Sequence, residues 1–275
     1  TGYSDRETRT VVLVLSGNRA VEMVSVAVKA GNGYTVATVP GPACLSDPVV
    51  KKVKISGAAF LDINGDGAKG TDEPGIPGLT VTLTGGSLYT TGPSGEYEFE
   101  VIPGNYGVSV SIPEGFASGN GSEADLGLVK ENTSHSFSFK INLDYMLGLS
   151  ANGYTIGFWK TNLVKASQGK VKGTQVDGSL LSGYLSVVSS LALEPLNVSS
   201  YTEVIDILSA TGSDPVLLLK KQLMGSEFNY SSGAFIGGNS LYTYCFLYQA
   251  EYMVKHSSSY SSTDILRLKD LCDAY

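Results

Sequence analysis

The sequence contains few histidines, few cysteines and few charged residues, and each scarcity narrows the range of functions. Of 275 residues, two are histidine and three are cysteine, which is little for a zinc site, a histidine-based triad or a disulfide scaffold. Charged residues make up 16%, and the net charge of −7 disfavours nucleic acid, because phosphate binding needs clustered Lys and Arg. No run of about 18 apolar residues occurs, so we expect no membrane insertion.

Signatures of catalysis are also missing from the sequence. It contains no nucleophile elbow, phosphate loop or dinucleotide fingerprint in a suitable context, so we expect no enzymatic activity. What the chain does contain is 33 glycines and more tyrosine than phenylalanine, 16 against 9. Together with many short apolar runs and abundant Ser and Thr, this composition favours a secreted, extracellular protein rich in β-strands. The absence of an initiator Met and of a signal peptide is what we expect of a processed or trimmed chain.

The cysteines and the glycosylation sequons leave alternatives open. One disulfide is possible, most economically between Cys245 and Cys272, with Cys44 left over, but buried free thiols are equally compatible with the sequence. Four Asn-x-Ser/Thr sequons would allow a glycoprotein, although a chain rich in Ser and Thr forms such sequons by chance. The four sequons begin at Asn120, Asn132, Asn197 and Asn229.

The most informative segment is DINGDGAKGTDE at residues 62–73. Short oxygen-bearing side chains at positions 1, 3 and 5, a glycine at position 6 and a glutamate at position 12 have the spacing of a calcium loop. The alternative interpretations are an ordinary turn rich in Asp, Asn and Gly, or a catalytic pair of carboxylates at Asp72 and Glu73. The candidate ligands for Ca²⁺ are Asp62, Asn64, Asp66, Ala68 (through its carbonyl), Asp72 and Glu73.

The flanks of this loop predict strands and not the two helices of a calcium hand. The preceding VKKVKISGAAFL alternates with Val, Ile and Phe, and the following PGIPGLTVTLTG has two prolines before an alternating run. A loop that joins two strands is better suited to clamp them together than to open a pair of helices as a sensor does.

Residues 54–145 carry motifs that resemble a known family. They resemble the calcium-binding B-type repeats of serine-aspartate-repeat surface adhesins and the related collagen-adhesin B-type modules. The resemblance implies an Ig-like β-sandwich stiffened by calcium. Some relatives form an intramolecular Lys–Asn bond, for which Lys54, Glu98 or Glu100, and Asn142 are the candidates here. The shared motifs are the acidic loop, EPGIPG, the hairpin with Thr91, Gly95, Tyr97 and Phe99, the turn with Pro103, Gly104 and Tyr106, and PEGF at 113–116.

The N-terminal region, residues 1–53, predicts strands that form a poor core on their own. Candidate strands are TVVLVL at 10–15 and the apolar runs at 20–28 and 33–39. The first of these follows a polar leader and could be a donor strand that completes the sheet of a neighbouring subunit. The alternative is an ordinary strand within the same molecule.

Residues 146–275 predict a mainly α-helical domain. Ser200 and Glu203 form a capping box, and Asp214 before Pro215 marks a second helix start. Helical periodicity continues through 240–256 and 262–275, the last capped by Ser262 or Thr263.

The start of this region resembles a domain of secreted bacterial and archaeal surface proteins. The resemblance rests on YTIGFWKTN at 154–162 and on the later LLKKQLMGSEFN at 218–229. It implies no catalytic role, and Asn162 stands where many relatives have His. The single tryptophan, Trp159, is then either a buried anchor or an exposed platform for carbohydrate.

Together these features predict a multidomain chain that is rich in β-structure and ends in helices. The expected domains are 1–53, 54–145 and 146–275. We expect a secreted, calcium-stabilised structural protein of the cell surface, a subunit of an extracellular filament, tubule or coat that self-associates into a homopolymer. The alternatives are a monomeric adhesin or stalk that binds a carbohydrate or other cell-surface ligand, and an accessory domain of a secreted hydrolase.

Overall fold

The computed structural model describes residues 23–30, 33–40, 51–149, 151–170, 174–191, 193 and 196–275. The chain divides into two compact units, Thr1–Lys51 and Lys52–Tyr275. In the first unit, β1 (Met23–Ala30) and β2 (Gly33–Pro40) form an antiparallel hairpin, which confirms the strands predicted near 20–28 and 33–39. The predicted donor strand at 10–15 and Cys44 lie outside the described residues.

The second unit begins with nine strands in two sheets. In the first sheet, β3 is central: β6 pairs with it antiparallel on one side, β10 and β11 pair with it parallel on the other, and β8 continues from β11. The second sheet has the order β5-β4-β7-β9. The strands are β3 (Val53–Leu61), β4 (Thr80–Leu83), β5 (Leu88–Thr90), β6 (Glu96–Val101), β7 (Gly104–Val110), β8 (Phe116–Ser118), β9 (Glu123–Val129), β10 (Thr133–Ser134) and β11 (Phe137–Ile141).

The sandwich forms because alternate residues of these strands are apolar. In β6, EYEFEV, the three apolar side chains are buried and the three glutamates are exposed. The inner faces of both sheets contribute to a core that includes Ile55, Val81 and Phe137. This arrangement confirms the predicted β-sandwich.

Two motif residues hold the sandwich together through buried hydroxyl groups. The Thr91 hydroxyl donates to the Ile76 carbonyl at 2.8 Å and accepts from the Leu79 amide at 2.9 Å. The Tyr97 hydroxyl donates to the carbonyl of His135 at 2.6 Å. Each hydroxyl therefore satisfies backbone groups that the strand ladders leave unpaired.

Helices follow the sandwich from residue 143 onward. The central helix is α5, which contacts α2, α3, α4, α6 and α7 and is buried continuously from Leu223 to Asn229. The helices are α1 (Leu143–Leu147), α2 (Ile156–Ser167), α3 (Gly178–Leu191), α4 (Tyr201–Ser209), α5 (Pro215–Ser231), α6 (Ser240–Lys255) and α7 (Ser262–Ala274). None of the helices among the described residues has the length and apolar character required to cross a membrane.

The predicted helix caps are present with one shift. Ser200 and Glu203 form the full capping box at the start of α4, and the Asp214 side chain accepts from the Leu217 amide before α5. The cap of α7 is Ser261, one residue before the predicted Ser262, because the Ser261 hydroxyl accepts from the Asp264 amide. Such a shift is expected where several adjacent serines compete for one position.

Candidate metal centre

The acidic loop joins β3 to β4 and is closed at its base by backbone contacts. The Leu61 amide donates to the Pro74 carbonyl at 2.9 Å, and Phe60 forms an isolated bridge with Gly75. At the first loop position, the Asp62 amide donates to the Phe139 carbonyl of β11 at 2.8 Å. The loop therefore starts from the rigid centre of the first sheet.

Three of the predicted ligands converge. One carboxylate oxygen from each of Asp62, Asp66 and Glu73 lies within 4.8 Å of the others. Asp62 is only 3% exposed and Glu73 only 2%. The ion pairs formed within the described part of the chain do not involve any of these three carboxylates. Two nearly buried carboxylates beside a third, with no ion pair to a basic side chain within the described residues, are a costly arrangement unless a cation is bound.

Backbone amides hold these carboxylates in place. The Asp62 carboxylate accepts from the amides of Gly65 at 2.8 Å and Gly67 at 3.2 Å. Glu73 Oε1 accepts from the amides of Ile63 and Asn64 at 2.9 and 3.2 Å, and its Oε2 accepts from Gly70 at 2.9 Å. The two ends of the loop are thereby tied to its middle.

Gly67 provides the turn expected at position 6 of the loop. Its φ is +76°, in the left-handed region that glycine adopts without strain. The calcium-loop pattern requires a glycine at this position because the chain makes a sharp turn there, and the structure has that turn.

The predicted ligands Asn64 and Ala68 lie at the exposed rim of the loop. The side-chain oxygen of Asn64 accepts from the Asp66 amide at 2.8 Å, and its amide nitrogen donates to Asp66 Oδ2 at 2.9 Å. The Ala68 amide donates to Asp66 Oδ1 at 2.8 Å. These contacts fix Asp66 next to the buried pair, but they also occupy oxygens that a metal would use.

Asp72 is not brought into this group. Its carboxylate instead binds the Lys255 ammonium at 2.7 Å and His256 Nε2 at 3.1 Å. The hydrogen bond from Lys255 is the main reason that the pKa of Asp72 lies below its ordinary value. Asp72 thus faces the end of helix α6 while its neighbour Glu73 faces the carboxylate cluster.

Helix α6 contributes residues that sequence reasoning did not connect with the loop. The Tyr252 side chain lies beside that of Asn64, and its ring stacks on His256 with centroids 4.2 Å apart. Burial raises the pKa of Tyr252, and the negative charge of Glu73 raises it further. No local sequence signal could connect helix α6 with the loop. In the Asp72–Lys255 ion pair, for example, 183 residues separate the two partners.

The donor set fits a hard divalent cation. All three convergent side chains offer carboxylate oxygens, and the surrounding loop offers amide and carbonyl oxygens in place of nitrogen or sulfur ligands. Asp62, Asp66 and Glu73 are the residues that would hold the ion, with Asn64 and Ala68 beside them.

The lysine and the asparagine considered for an intramolecular Lys–Asn bond are not brought together. The Lys54 ammonium pairs with Glu98 at 2.8 Å on the surface, with side chains 51% and 47% exposed. The side chain of Asn142 accepts from the Tyr145 amide and caps helix α1. Bond formation of this kind needs a buried lysine next to the amide, which the described geometry does not provide.

Trp159 is a buried anchor, and the interpretation as an exposed carbohydrate platform is wrong. Its ring is 0% exposed, and its indole N–H donates to Asn229 Oδ1 at 2.8 Å. Asn229 also donates to the Tyr154 carbonyl at 3.1 Å and is itself only 2% exposed. The Asn229 sequon is therefore inaccessible to glycosylation in the folded protein.

The helical region also buries two cysteine thiols and a pair of glutamate carboxyl groups. Cys245 and Cys272 are free and buried, so of the two alternatives the sequence left open, buried thiols are the one that the structure has. Glu227 on α5 and Glu251 on α6 are both buried, and their carboxyl groups interact with each other. Within the described residues, neither oxygen of Glu227 has a conventional donor. The pair therefore needs a shared proton.

Burial is the main cause of raised pKa values in this carboxyl pair. It raises the pKa of Glu251 to about 7, and it raises the pKa of Glu227 well above its ordinary value with a further contribution from the charge of Glu251. Sequence periodicity offered a signal for this pair, since Glu251 lies four residues after the buried Leu247 and three before the buried Val254.

Comparisons with known proteins bear on the sandwich. The family model of the SdrD B-like domain matches residues 53–140. Among solved structures, the Bacillus anthracis TIE protein is similar at 15% identity and a TM-score of 0.22, with 40% of this chain and 22% of that chain covered. The comparison with curated proteins finds no match. Residues 53–140 therefore match the SdrD B-like domain, as the sequence motifs predicted.

Proposed function

We propose that this chain is a calcium-stabilised structural protein of the cell surface. The observation that carries the proposal is the convergence of Asp62, Asp66 and Glu73, two of them almost fully buried, with no ion pair to a basic side chain within the described residues. The SdrD B-like match at 53–140 supports the surface location.

Calcium suits this loop better than magnesium or zinc. Ca²⁺ accepts six to eight oxygen ligands in flexible geometry, whereas Mg²⁺ needs near-ideal octahedral geometry and Zn²⁺ favours nitrogen and sulfur. A flexible set of carboxylate, amide and backbone oxygens on a glycine-rich loop meets the first requirement.

The expected role of the ion is to stabilise the folded sandwich by mass action. At a free concentration ~100- to 1000-fold above its dissociation constant, a ligand that binds only the folded state adds about 3–4 kcal/mol to the free energy of unfolding. The ion would relieve the repulsion among the three carboxylates and fix the connection between β3 and β4. We propose no catalytic role for these carboxylates or for any other group.

We further propose that the protein assembles into an extracellular filament, tubule or coat. Low charge and many tyrosines and β-branched residues suit large permanent interfaces between subunits. The test is size-exclusion chromatography with light scattering on the purified chain, first with calcium and then with chelator. Large ordered particles that form only with calcium are the expected result; a monomer under both conditions contradicts assembly.

A cleft favours the second candidate, an adhesin with a carbohydrate or other cell-surface ligand. This cleft of about 590 Å³ has a volume in the range of small-ligand sites. Tyrosine rings beside hydroxyl-bearing residues are suited to stack on a neutral sugar. Isothermal titration against surface glycans, with Tyr244→Ala as the comparison, tests this candidate. The cleft is lined by Pro77, Gly78, Thr91, Gly92, Pro93, Tyr230, Ser240, Leu241 and Tyr244.

A further inference from the structure

The acidic loop has a second face that is turned toward the helical region. Asp72 and Glu73 are adjacent in the chain, yet Glu73 points into the carboxylate cluster and Asp72 toward Lys255 and His256. On the same side, the side chain of Asn64 lies beside that of Tyr252. The loop therefore contacts the last turn of α6 at two separate positions.

The contacts on α6 form one continuous surface. Tyr252, Lys255 and His256 lie within one turn of the helix end, and the Tyr252 and His256 rings stack with an interplanar angle of 27°. The Lys255 and Asp72 side chains are 34% and 20% exposed, so their ion pair is partly shielded from water. Partial shielding makes this pair more effective than a fully exposed one.

The conformation of the loop sets the position of both contacts. Glu73 accepts from the backbone of Ile63 and Asn64, so a change in the position of Glu73 also displaces Asn64. Asp72 moves with Glu73 because one peptide bond joins them. Repulsion among Asp62, Asp66 and Glu73 favours an expanded loop, and a bound cation favours the compact loop in which Asp72 and Asn64 meet α6.

A separate part of the interface does not depend on the loop. Tyr242 of α6 packs against Phe116 and Tyr145, with ring centroids 5.9 and 6.1 Å apart. This aromatic contact joins the helices to the sandwich without any residue of the loop. The loop therefore adds a cation-sensitive part to an interface that already exists.

We propose that calcium bound at residues 62–73 strengthens the attachment of the helical region to the sandwich through Asp72 and Asn64. This inference rests on the proposed calcium site and adds that the ion stabilises a second structural region that supplies none of its ligands. The SdrD B-like domain would then act as a calcium-dependent base for the helices.

The position of Trp159 allows a direct test. It is the only tryptophan of the chain and is buried among helices α2 and α5, so its fluorescence reports unfolding of the helical region. Calcium affinity is measured first by isothermal titration with CaCl₂. Thermal unfolding is then followed by Trp159 fluorescence in calcium and in chelator. We expect calcium to raise the Trp159 transition by about 2–4 °C or more.

Variants on α6 separate this coupling from simple binding. Lys255→Met with His256→Gln should lower the calcium-dependent rise of the Trp159 transition and, because coupling is reciprocal, weaken calcium binding by the same factor without abolishing it. Lys269→Met is the matched control, because Lys269 pairs with Asp270 and Asp273 on α7, away from the loop. This control should retain the full rise.

The outcomes distinguish the two proposals. Absence of calcium binding in the titration defeats the proposed function and this inference together. Calcium binding with no change in the Trp159 transition, or an equal rise in the α6 variant and the wild type, overturns the inference alone and leaves the calcium site in place.

Discussion

At the scale of single residues, the three carboxylates of the loop differ in burial and in the contacts that hold them. Asp62 and Glu73 are buried and held by backbone amides, whereas Asp66 is exposed and held by its own neighbours. The buried pair is costly without a cation, and the exposed third carboxylate can be changed with little effect on packing. Asp66 is therefore the position at which metal binding and folding are most easily separated.

We expect Asp66→Asn to abolish most of the calcium-dependent stabilisation. The substitution keeps the acceptor for the Ala68 amide but removes one negative charge from the cluster. The melting temperature should fall in calcium and match the wild type in chelator. Asp125→Asn is the matched control, since Asp125 similarly accepts from the amide two residues on, at 2.9 Å, in strand β9 outside the metal loop. An equal decrease in both conditions would refute the site.

Gly95 is a residue for which the structure requires glycine on two grounds. Its φ is +75°, and a Cβ at this position would lie 2.0 Å from the Ala59 carbonyl oxygen. We expect Gly95→Ala to lower the free energy of unfolding by about 3 kcal/mol or more, measured by urea denaturation. Gly127→Ala is the control: its φ is +60° but nothing lies within 4 Å, so only about 1 kcal/mol of backbone strain is expected. Equal losses would show that crowding at Gly95 is unimportant.

At the scale of elements, the contact between α5 and α6 contains the Glu227–Glu251 pair. Lys220 is the positive charge that acts on Glu251, and the Cys272 thiol of α7 lies near both carboxyls. The pair is satisfied only when it retains a proton, so its protonation state affects how tightly the two helices pack.

This pair predicts that the helical region loses stability as the pH rises. A carboxyl whose pKa is raised on folding stabilises the native state below its unfolded pKa, near 4.5, and this contribution is lost as pH rises through about 7 for Glu251. The free energy of unfolding should fall by up to about 1.4 kcal/mol per pH unit for each proton released. Trp159 fluorescence melts between pH 5 and 8, in chelator, measure the change.

A variant removes one carboxyl of the pair while keeping the contact. Glu227→Gln can donate a hydrogen bond to Glu251 at every pH, so it should flatten the dependence on pH. Glu100→Gln, at a side chain that is 58% exposed, serves as the control and should leave the slope unchanged. A wild-type curve without slope in this range would contradict the shared proton.

Elements with local signals were predictable, and those that depend on distant partners were not. The capping box of α4 and the Asp-Pro start of α5 encode helix starts within a few residues, so both were correct. Helix α3, GSLLSGYLSVVSSL, was missed because its serines, glycines and valines are weak helix formers and packing against α5 decides its structure. The loop was predictable from its spacing, but the direction of Asp72 depends on α6 and was not.

At the scale of the whole molecule, the chain divides near Lys51 into two compact units, and we expect the first to serve assembly and the second to hold the stable core. The second unit contains the sandwich, the acidic loop and all seven helices, with a continuous core. Residues 1–51 include the hairpin of β1 and β2 and the sequence predicted as a donor strand, which lies outside the described residues.

We expect a truncated chain, residues 52–275, to fold and bind calcium without forming particles. Its core is internal to the second unit, and the proposed subunit contacts would be lost with the first. Calcium-dependent melting and light scattering, compared with the full chain, measure both properties. Polymers from the truncated chain would disprove a role of residues 1–51 in assembly.

The parallel pairing of β3 with β10 and β11 has a mechanical consequence for the sandwich. A pulling force enters the sandwich at Val53, the start of β3, and leaves at Ile141, the end of β11, so it acts along neighbouring parallel strands in opposite directions. Their hydrogen bonds are then loaded together in shear and cannot open one at a time as in a zipper. Single-molecule pulling through residues 52 and 142 should therefore show a higher rupture force than pulling across β7 and β9, and the metal loop lies at the loaded end of that ladder.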